Sequence, residues 1–209
     1  MFAKLRVLLL LGLLASTPAF SQVKLGLKFT PVVSVARIND LDTATTWSTN
    51  ATAVRFIFGP VIDVAFSDNY YFSTGLWYTP KRYTARPTGQ TSLDARHAQF
   101  LQLPLTLKLY TDEVGLDTRI YFQIGGLGEV KISDNDQALD LNYVPPINRV
   151  NASALLSAGV EYRWGFNTTV FGGISYQRGL VNVVSGGIGG DPSYDLKSDL
   201  IGIDLGLKF

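Results

Sequence analysis

The chain has 209 residues, of which 17% are charged and 46% are hydrophobic, and its formal net charge is +1. It contains 20 glycines and no cysteine, which excludes disulfides, thiolate metal sites and lipidated cysteines. The near-neutral charge argues against a nucleic-acid-binding protein, because such proteins carry a basic patch or stripe.

The N-terminal residues have the pattern of a secretory signal peptide. A basic start is followed by an apolar run from Val7 to Ala15 and by small residues at the −3 and −1 positions before Gln22. The run is about half of the ~20 residues that a membrane-spanning helix needs. We therefore predict a cleaved signal over residues 1–21 and one mature domain over residues 22–209.

Eight later segments alternate between apolar and polar or small residues, which is typical of β-strands. The clearest is FLQLPLTLKLY, residues 100–110, with leucine at every second position from Leu101 to Leu109. In chain order the segments are residues 24–36, 54–66, 70–81, 100–110, 119–132, 151–164, 168–179 and 200–209. Pro31, Pro60 and Pro104 lie inside them, and each removes a hydrogen-bond donor, which bulges could absorb.

The connections between these segments alternate in length. Short turns are predicted near residues 67–69, 111–117 and 165–167. Long polar loops are predicted over residues 37–52, 84–97, 133–149 and 181–197. This alternation predicts an all-β fold, an eight-stranded antiparallel up-and-down transmembrane β-barrel with short periplasmic turns and long external loops.

The composition of the two strand faces indicates which one meets lipid. A soluble lipocalin-like barrel would turn its apolar face inward. Here the polar face is rich in glycine, which suits a narrow interior, and the apolar face is nearly free of charge at mid-strand, where an exposed Arg or Lys costs about 2–4 kcal/mol. Aromatic girdles are predicted at the turn end (Phe66, Tyr70, Phe72, Tyr110, Trp164, Phe166, Phe209) and at the loop end (Tyr78, Tyr83, Tyr176).

The segments FLQLPLTLKLY, IYFQIGGLG, LLSAGVEYRW and LGLKF, in this order, resemble the outer-membrane β-barrel domain family that includes PorT-like proteins. The resemblance covers essentially the whole mature chain. It implies an eight-stranded barrel whose final Phe209 is the signal read by the barrel-assembly machinery. It brings no catalytic motif, and only some members of the family are tied to protein secretion.

The alternation also places charged residues on the inward face. An eight-stranded barrel is only wide enough for side chains to fill, so charges inside it must be paired. We predict a lumen ion-pair network of Lys28, Asp63, Lys108, Arg119, Glu161 and Asp204. The other inward charges are Lys24, Arg163 and Lys208 towards the turn end, and Arg55, Lys81, Glu129 and Lys131 towards the loop end. Their excess of bases favours an alternative, a narrow anion-preferring pore.

Two outward arginines, Arg82 and Arg178, lie at the predicted loop-side rim. They are candidates for bidentate contacts with lipopolysaccharide phosphates. Ordinary snorkelling of long cationic side chains at a membrane interface explains them equally well.

Signals for catalysis or metal binding are weak. The chain has a single histidine, His97, and no neighbouring residue marks it as the base of a nucleophile. Asp134, Asp136 and Asp140 are interpreted as acidic loop composition, since the glycine and final glutamate of an EF-hand loop are missing. We predict a monomeric, non-enzymatic scaffold without cofactor, whose loops contact lipopolysaccharide or a protein partner; the alternatives are the narrow channel and a PorT-like accessory of secretion.

Overall fold

The computed structural model of the chain describes residues 23–40, 47–48, 52–87, 94–136, 147–184 and 194–209. The predicted signal peptide and part of each predicted long loop lie outside the described residues. The described part is built of β-strands, and no helix in it is long and apolar enough to cross a membrane.

Ten strands form one antiparallel sheet that closes on itself. They are β1 (Val23–Asp40), β2 (Trp47–Ser48), β3 (Thr52–Ser67), β4 (Tyr70–Gly75), β5 (Trp77–Pro87), β6 (Asp94–Gly115), β7 (Thr118–Asp136), β8 (Val150–Arg163), β9 (Thr169–Gly179) and β10 (Tyr194–Lys208). Closure follows because β1 pairs with both β3 and β10. β4 and β5 are two halves of one strand between β3 and β6, and β2 is a short strand beside β5. The described ring therefore has eight strands, which confirms the predicted barrel.

The strands extend further at the loop end than the alternation predicts. β6 begins at Asp94 instead of Phe100, and β10 begins at Tyr194 instead of Leu200. The alternation disappears there because a strand beyond the membrane needs no apolar outer face, while its backbone hydrogen bonds persist. The first and last residues of the predicted loops are therefore strand.

The predicted turn at residues 111–117 is also shorter than expected. β6 continues to Gly115, and only Leu116 and Asp117 separate it from β7. Asp117 has a φ of 55°, a left-handed conformation that a short polar side chain tolerates. The turn is thus a tight two-residue hairpin.

The strand prolines disturb the sheet less than expected. Pro104 faces Leu127 across β6 and β7 with no shift of register at that position. An interruption beside a proline lies between β4 and β5 at Leu76, whose backbone nitrogen donates to the Pro60 carbonyl at 3.3 Å, and the pairing of β1 with β10 skips Thr30 and Pro31 without a shift of register. The ring therefore stays closed around these positions.

Exposure confirms that the apolar face points outward. On β6, Leu103, Leu105 and Leu107 are about half exposed (47–54%), whereas Gln102 and Thr106 on the alternate positions are at most 1% exposed. The predicted girdles need one correction. Tyr83 and Tyr110 are buried inside the barrel. The alternation of the strands requires this, because the residues two positions before them also face inward.

Apolar side chains also fill part of the lumen, which the sequence analysis did not anticipate. They form three clusters, at the loop end (Tyr83, Ala98, Phe100, Ile147, Val183, Val184, Leu196), in the middle (Val32, Ile57, Val61, Trp77, Leu127, Leu155, Leu200) and at the turn end (Tyr110, Tyr121, Phe171). Buried lysines pack against each cluster, with Lys81 near Phe100, Lys28 near Trp77 and Lys108 near Tyr121. The interior therefore contains apolar and ionic layers in contact with each other.

Candidate functional site in the lumen

Four charged side chains meet inside the turn-side half of the barrel: Asp63, Lys108, Glu161 and Lys208, here called the turn-side cluster. Lys108 Nζ lies 2.8 Å from Glu161 Oε1 and 3.5 Å from Asp63 Oδ2. Lys208 Nζ also contacts both carboxylates. All four side chains are at most 5% exposed. Two cations therefore share two anions away from water.

The turn-side cluster is assembled from four separate strands and held by aromatic and hydroxyl groups. Its members come from β3, β6, β8 and β10, each from an inward position. The Tyr110 hydroxyl donates to Glu161 Oε1 at 2.6 Å, and the Ser73 hydroxyl donates to Asp63. Lys108 Nζ lies 4.1 Å from the centre of the Tyr121 ring, an arrangement that stabilises a cation.

A second ion pair joins Lys28 on β1 to Asp204 on β10. Lys28 Nζ lies 2.9 Å from Asp204 Oδ1 and 4.2 Å from the centre of the Trp77 ring. The Asp204 carboxylate also accepts hydrogen bonds from the hydroxyls of Thr30, Ser157 and Ser175 at 2.8–3.1 Å. This carboxylate has enough donors to remain ionised inside the barrel.

Arg119 does not join the residues predicted to form the network with it. Its backbone faces Glu161 across β7 and β8, but the Glu161 carboxylate is occupied by Lys108, Lys208 and Tyr110. The guanidinium instead lines cavities at the turn end. Lys208, on an inward position near the end of β10, contacts Asp63 and Glu161 instead.

A further ion pair closer to the loops was not singled out from the sequence. Lys81 Nζ lies 2.7 Å and 2.9 Å from the two carboxylate oxygens of Glu129, and both side chains are at most 1% exposed. Gln102, Asn151 and Ser153 donate to the same carboxylate at 2.8–3.0 Å. We call Lys81 and Glu129 the loop-side pair. The sequence signal for this pair was the presence of opposite charges on inward positions towards the same end of the barrel.

Among the described residues, the buried lysines of the lumen and the buried carboxylates that they contact are equal in number. The four buried lysines, Lys28, Lys81, Lys108 and Lys208, face the four buried carboxylates Asp63, Glu129, Glu161 and Asp204. Within the described ranges, no group of three or more His, Cys, Asp or Glu side chains is placed to hold a metal ion. Asp134 forms an ion pair with Lys131 at 2.8 Å, whereas Asp140 lies outside the described residues.

Arg178 lies at the loop-side end of β9 and Arg82 at the middle of β5, both on outward positions. Arg82 faces His97 across β5 and β6, and burial together with the charges of Arg55 and Arg82 lowers the pKa of His97. Arg178 faces Asp199, whose carboxylate is bound instead by Arg37 at 2.8 Å.

Phe209 closes the ring at the turn end. Its backbone nitrogen donates to the Leu25 carbonyl at 2.7 Å, and its own carbonyl accepts from the Leu25 nitrogen at 3.2 Å. The ring of Phe209 is 63% exposed on the outward face. The terminal residue thus combines a paired backbone with an accessible aromatic side chain.

Comparison with known proteins yields one family and several distant structures. A family model described as "Outer membrane protein beta-barrel domain" matches residues 20–185. The outer membrane protein OprG from Pseudomonas aeruginosa aligns with a TM-score of 0.55 and 13% identity, covering 90% of this chain and 96% of that chain. AlkL, solved in DMPC lipid bilayers, aligns with a TM-score of 0.49 and 15% identity, covering 93% of each chain. At such identities the OprG alignment supports the fold alone. The curated proteins compared with the chain include no match.

Proposed function

The chain belongs to the outer membrane protein beta-barrel domain family, and on this basis we propose that it is a non-enzymatic outer-membrane barrel with a closed lumen. We propose further that it acts as an interaction scaffold through its extracellular loops. Connecting segments on a rigid barrel are where binding residues concentrate. The rigid part here is the eight-stranded ring, and the segments that join its strands at the loop end include the undescribed residues.

The observation that carries the closed lumen is the packing across its middle. Trp77, Leu127, Leu155 and Leu200 are each at most 2% exposed there. Ionic layers lie on both sides of this apolar layer, and each cation in them has a carboxylate partner. The excess of bases that favoured an anion-preferring pore is therefore not present among these buried groups.

Conductance of the refolded barrel in planar bilayers tests the closed lumen. We expect no discrete openings from the wild type or from Asp63→Asn and Glu161→Gln, because the apolar layer remains in place. Trp77→Ala, which removes the largest side chain of that layer, is expected to show discrete openings. Insertion is checked by the altered electrophoretic mobility of the unheated barrel. Discrete wild-type openings at neutral pH would overturn the proposal in favour of the narrow channel.

A scaffold role predicts a specific partner for the extracellular segments. Cross-linking on intact cells, followed by purification of the barrel, is expected to recover one protein that is lost when residues 137–146 are replaced by a short turn. Deleting the gene distinguishes the scaffold from a PorT-like accessory of secretion. Loss of exported proteins from the medium would favour the accessory role, and an unchanged set of exported proteins would favour the scaffold.

We also propose that Arg82 and Arg178 contact lipopolysaccharide. Both sit on outward positions in the loop-side half of the barrel, and the carboxylate facing Arg178 is already engaged by Arg37. Arginine binds phosphate groups through paired hydrogen bonds. Binding of lipopolysaccharide to the purified barrel is expected to weaken in the double variant Arg82→Gln and Arg178→Gln. Equal binding by the wild type and this variant would assign both residues to interface snorkelling.

A further inference from the structure

An open cavity of about 540 Å³ lies at the turn end of the barrel. Its lining comprises Lys24, Ala65, Phe66, Ser67, Asp68, Tyr71 and Arg119. These residues come from the ends of β1, β3, β4 and β7 and from the turn between β3 and β4. Short turns of outer-membrane barrels face the periplasm, so the cavity opens at the periplasmic edge of the membrane.

The charges of this cavity are not matched as they are in the lumen. Two cations, Lys24 and Arg119, line it together with one carboxylate, Asp68. The Nε atom of Arg119 is buried and has no hydrogen-bond partner among the described residues. The ammonium of Lys24 lies 5.7 Å from the centre of the Tyr71 ring. The lining therefore carries one net positive charge, and the guanidinium of Arg119 has a hydrogen-bond donor without a protein partner among the described residues.

The cavity is also continuous with the lipid-facing surface. Phe66 forms part of its wall and is 61% exposed on the outward face of the barrel. The neighbouring Tyr70 is 48% exposed, and the two rings lie 6.1 Å apart. A ligand with an anionic group and an apolar tail can thus place the group in the cavity while its tail stays along the barrel wall.

We propose that this cavity binds the phosphodiester group of a phospholipid from the periplasmic leaflet of the outer membrane. Lys24 and Arg119 donate hydrogen bonds to the phosphate oxygens, and the single charge of a phosphodiester balances the net charge of the lining. Ammonium and guanidinium groups both bind phosphate, and the guanidinium does so with paired donors. The headgroup packs against the side chain of Tyr71.

Native mass spectrometry of the refolded barrel with phosphatidylglycerol tests this site. The wild type is expected to retain one phospholipid molecule, and the double variant Lys24→Gln and Arg119→Gln is expected to bind it about tenfold more weakly. Arg163→Gln is the matched control. Arg163 is a cation on the same rim, but it already lies 3.4 Å from Asp117 and 3.7 Å from Glu113, so its loss should leave lipid retention unchanged.

Two outcomes would overturn the proposal. Equal retention by the wild type and the double variant would show that the cavity holds no phospholipid. Displacement of the lipid by inorganic phosphate at an equal concentration would show a phosphate site whose ligand is soluble. Lys24→Gln alone, expected to weaken binding by a smaller factor, provides the same comparison if the double variant fails to refold. Folding of each variant is checked by its unheated electrophoretic mobility.

Discussion

The two ionic layers of the lumen neutralise their buried charges in different ways. In the turn-side cluster each lysine contacts both carboxylates, so Asp63, Lys108, Glu161 and Lys208 form one shared network. The loop-side pair is a one-to-one contact of Lys81 with Glu129, surrounded by neutral amide and hydroxyl donors.

This difference determines what remains after one charge is removed. A shared network can redistribute its contacts, because each remaining cation still has a carboxylate within reach. A one-to-one pair leaves a single buried charge with neutral neighbours only, and an unpaired buried charge is costly. The two layers are therefore expected to respond unequally to equivalent substitutions, although the side chains of both are at most 5% exposed.

The largest effect is expected for Lys81→Met. It leaves the Glu129 carboxylate buried without a cation, which should lower the free energy of unfolding by about 3–5 kcal/mol. Urea unfolding of the barrel in lipid vesicles, followed by tryptophan fluorescence, measures the change. The double variant Lys81→Met and Glu129→Gln removes both charges and should recover most of the loss. A single variant as stable as the double variant would contradict the one-to-one description.

Gly206→Ala tests how tightly the turn-side half is packed. An added Cβ would lie 2.2 Å from Phe171 Cζ and 2.4 Å from the Leu27 carbonyl oxygen, so we expect a loss of about 1–3 kcal/mol by overpacking. Gly126→Ala is the control, since a Cβ there meets no atom within 4 Å. Equal unfolding midpoints for the two variants would show that the side chains around Gly206 can move to accommodate a methyl group.

Asp63→Asn is expected to cost less than Lys81→Met, about 1–2 kcal/mol, because Lys108 and Lys208 retain Glu161. Combining it with Glu161→Gln should cost more than the sum of the two single substitutions, since the pair of lysines then has no carboxylate in the cluster. Urea unfolding of the three variants provides the double-mutant cycle. Simple additivity would mean that the two carboxylates act independently.

The smallest effect is expected for Arg163→Gln at the turn-side rim. Its side chain is 52% exposed, and its contacts with Glu113 and Asp117 are screened by water, so the loss should stay below about 1 kcal/mol. Repeating the measurement in high salt should remove even this difference. A larger and salt-independent loss would place Arg163 with the buried layers instead of the surface.

The barrel itself could be predicted from the sequence because a wall between lipid and a narrow lumen imposes alternation on every strand. That constraint ends at the edge of the membrane, which is why the beginnings of β6 and β10 were missed. Parity also indicates that Tyr83 and Tyr110 face inward, and the mistake there was to read aromatic residues as girdle residues by type alone.

The site could be predicted from the sequence less completely than the fold. Alternation identifies which charges enter the lumen but not which partners they reach. Arg119 and Lys208 both occupy inward positions near the turn end, and only the lengths and paths of their side chains decide that Lys208 joins the cluster. The apolar layer around Trp77 was missed because inward positions were expected to be polar or small.

The seam between β1 and β10 has a consequence for how the protein is made. It joins the first strand of the ring to the last of the described strands in chain order. Before that strand exists, the edges of β1 and β9 carry unpaired backbone groups, which are costly in lipid and prone to pair with other chains. A ring that lacks β10 is therefore expected to be unstable in the membrane. All strands of the ring, including β10, must therefore be available before the barrel can close in the membrane.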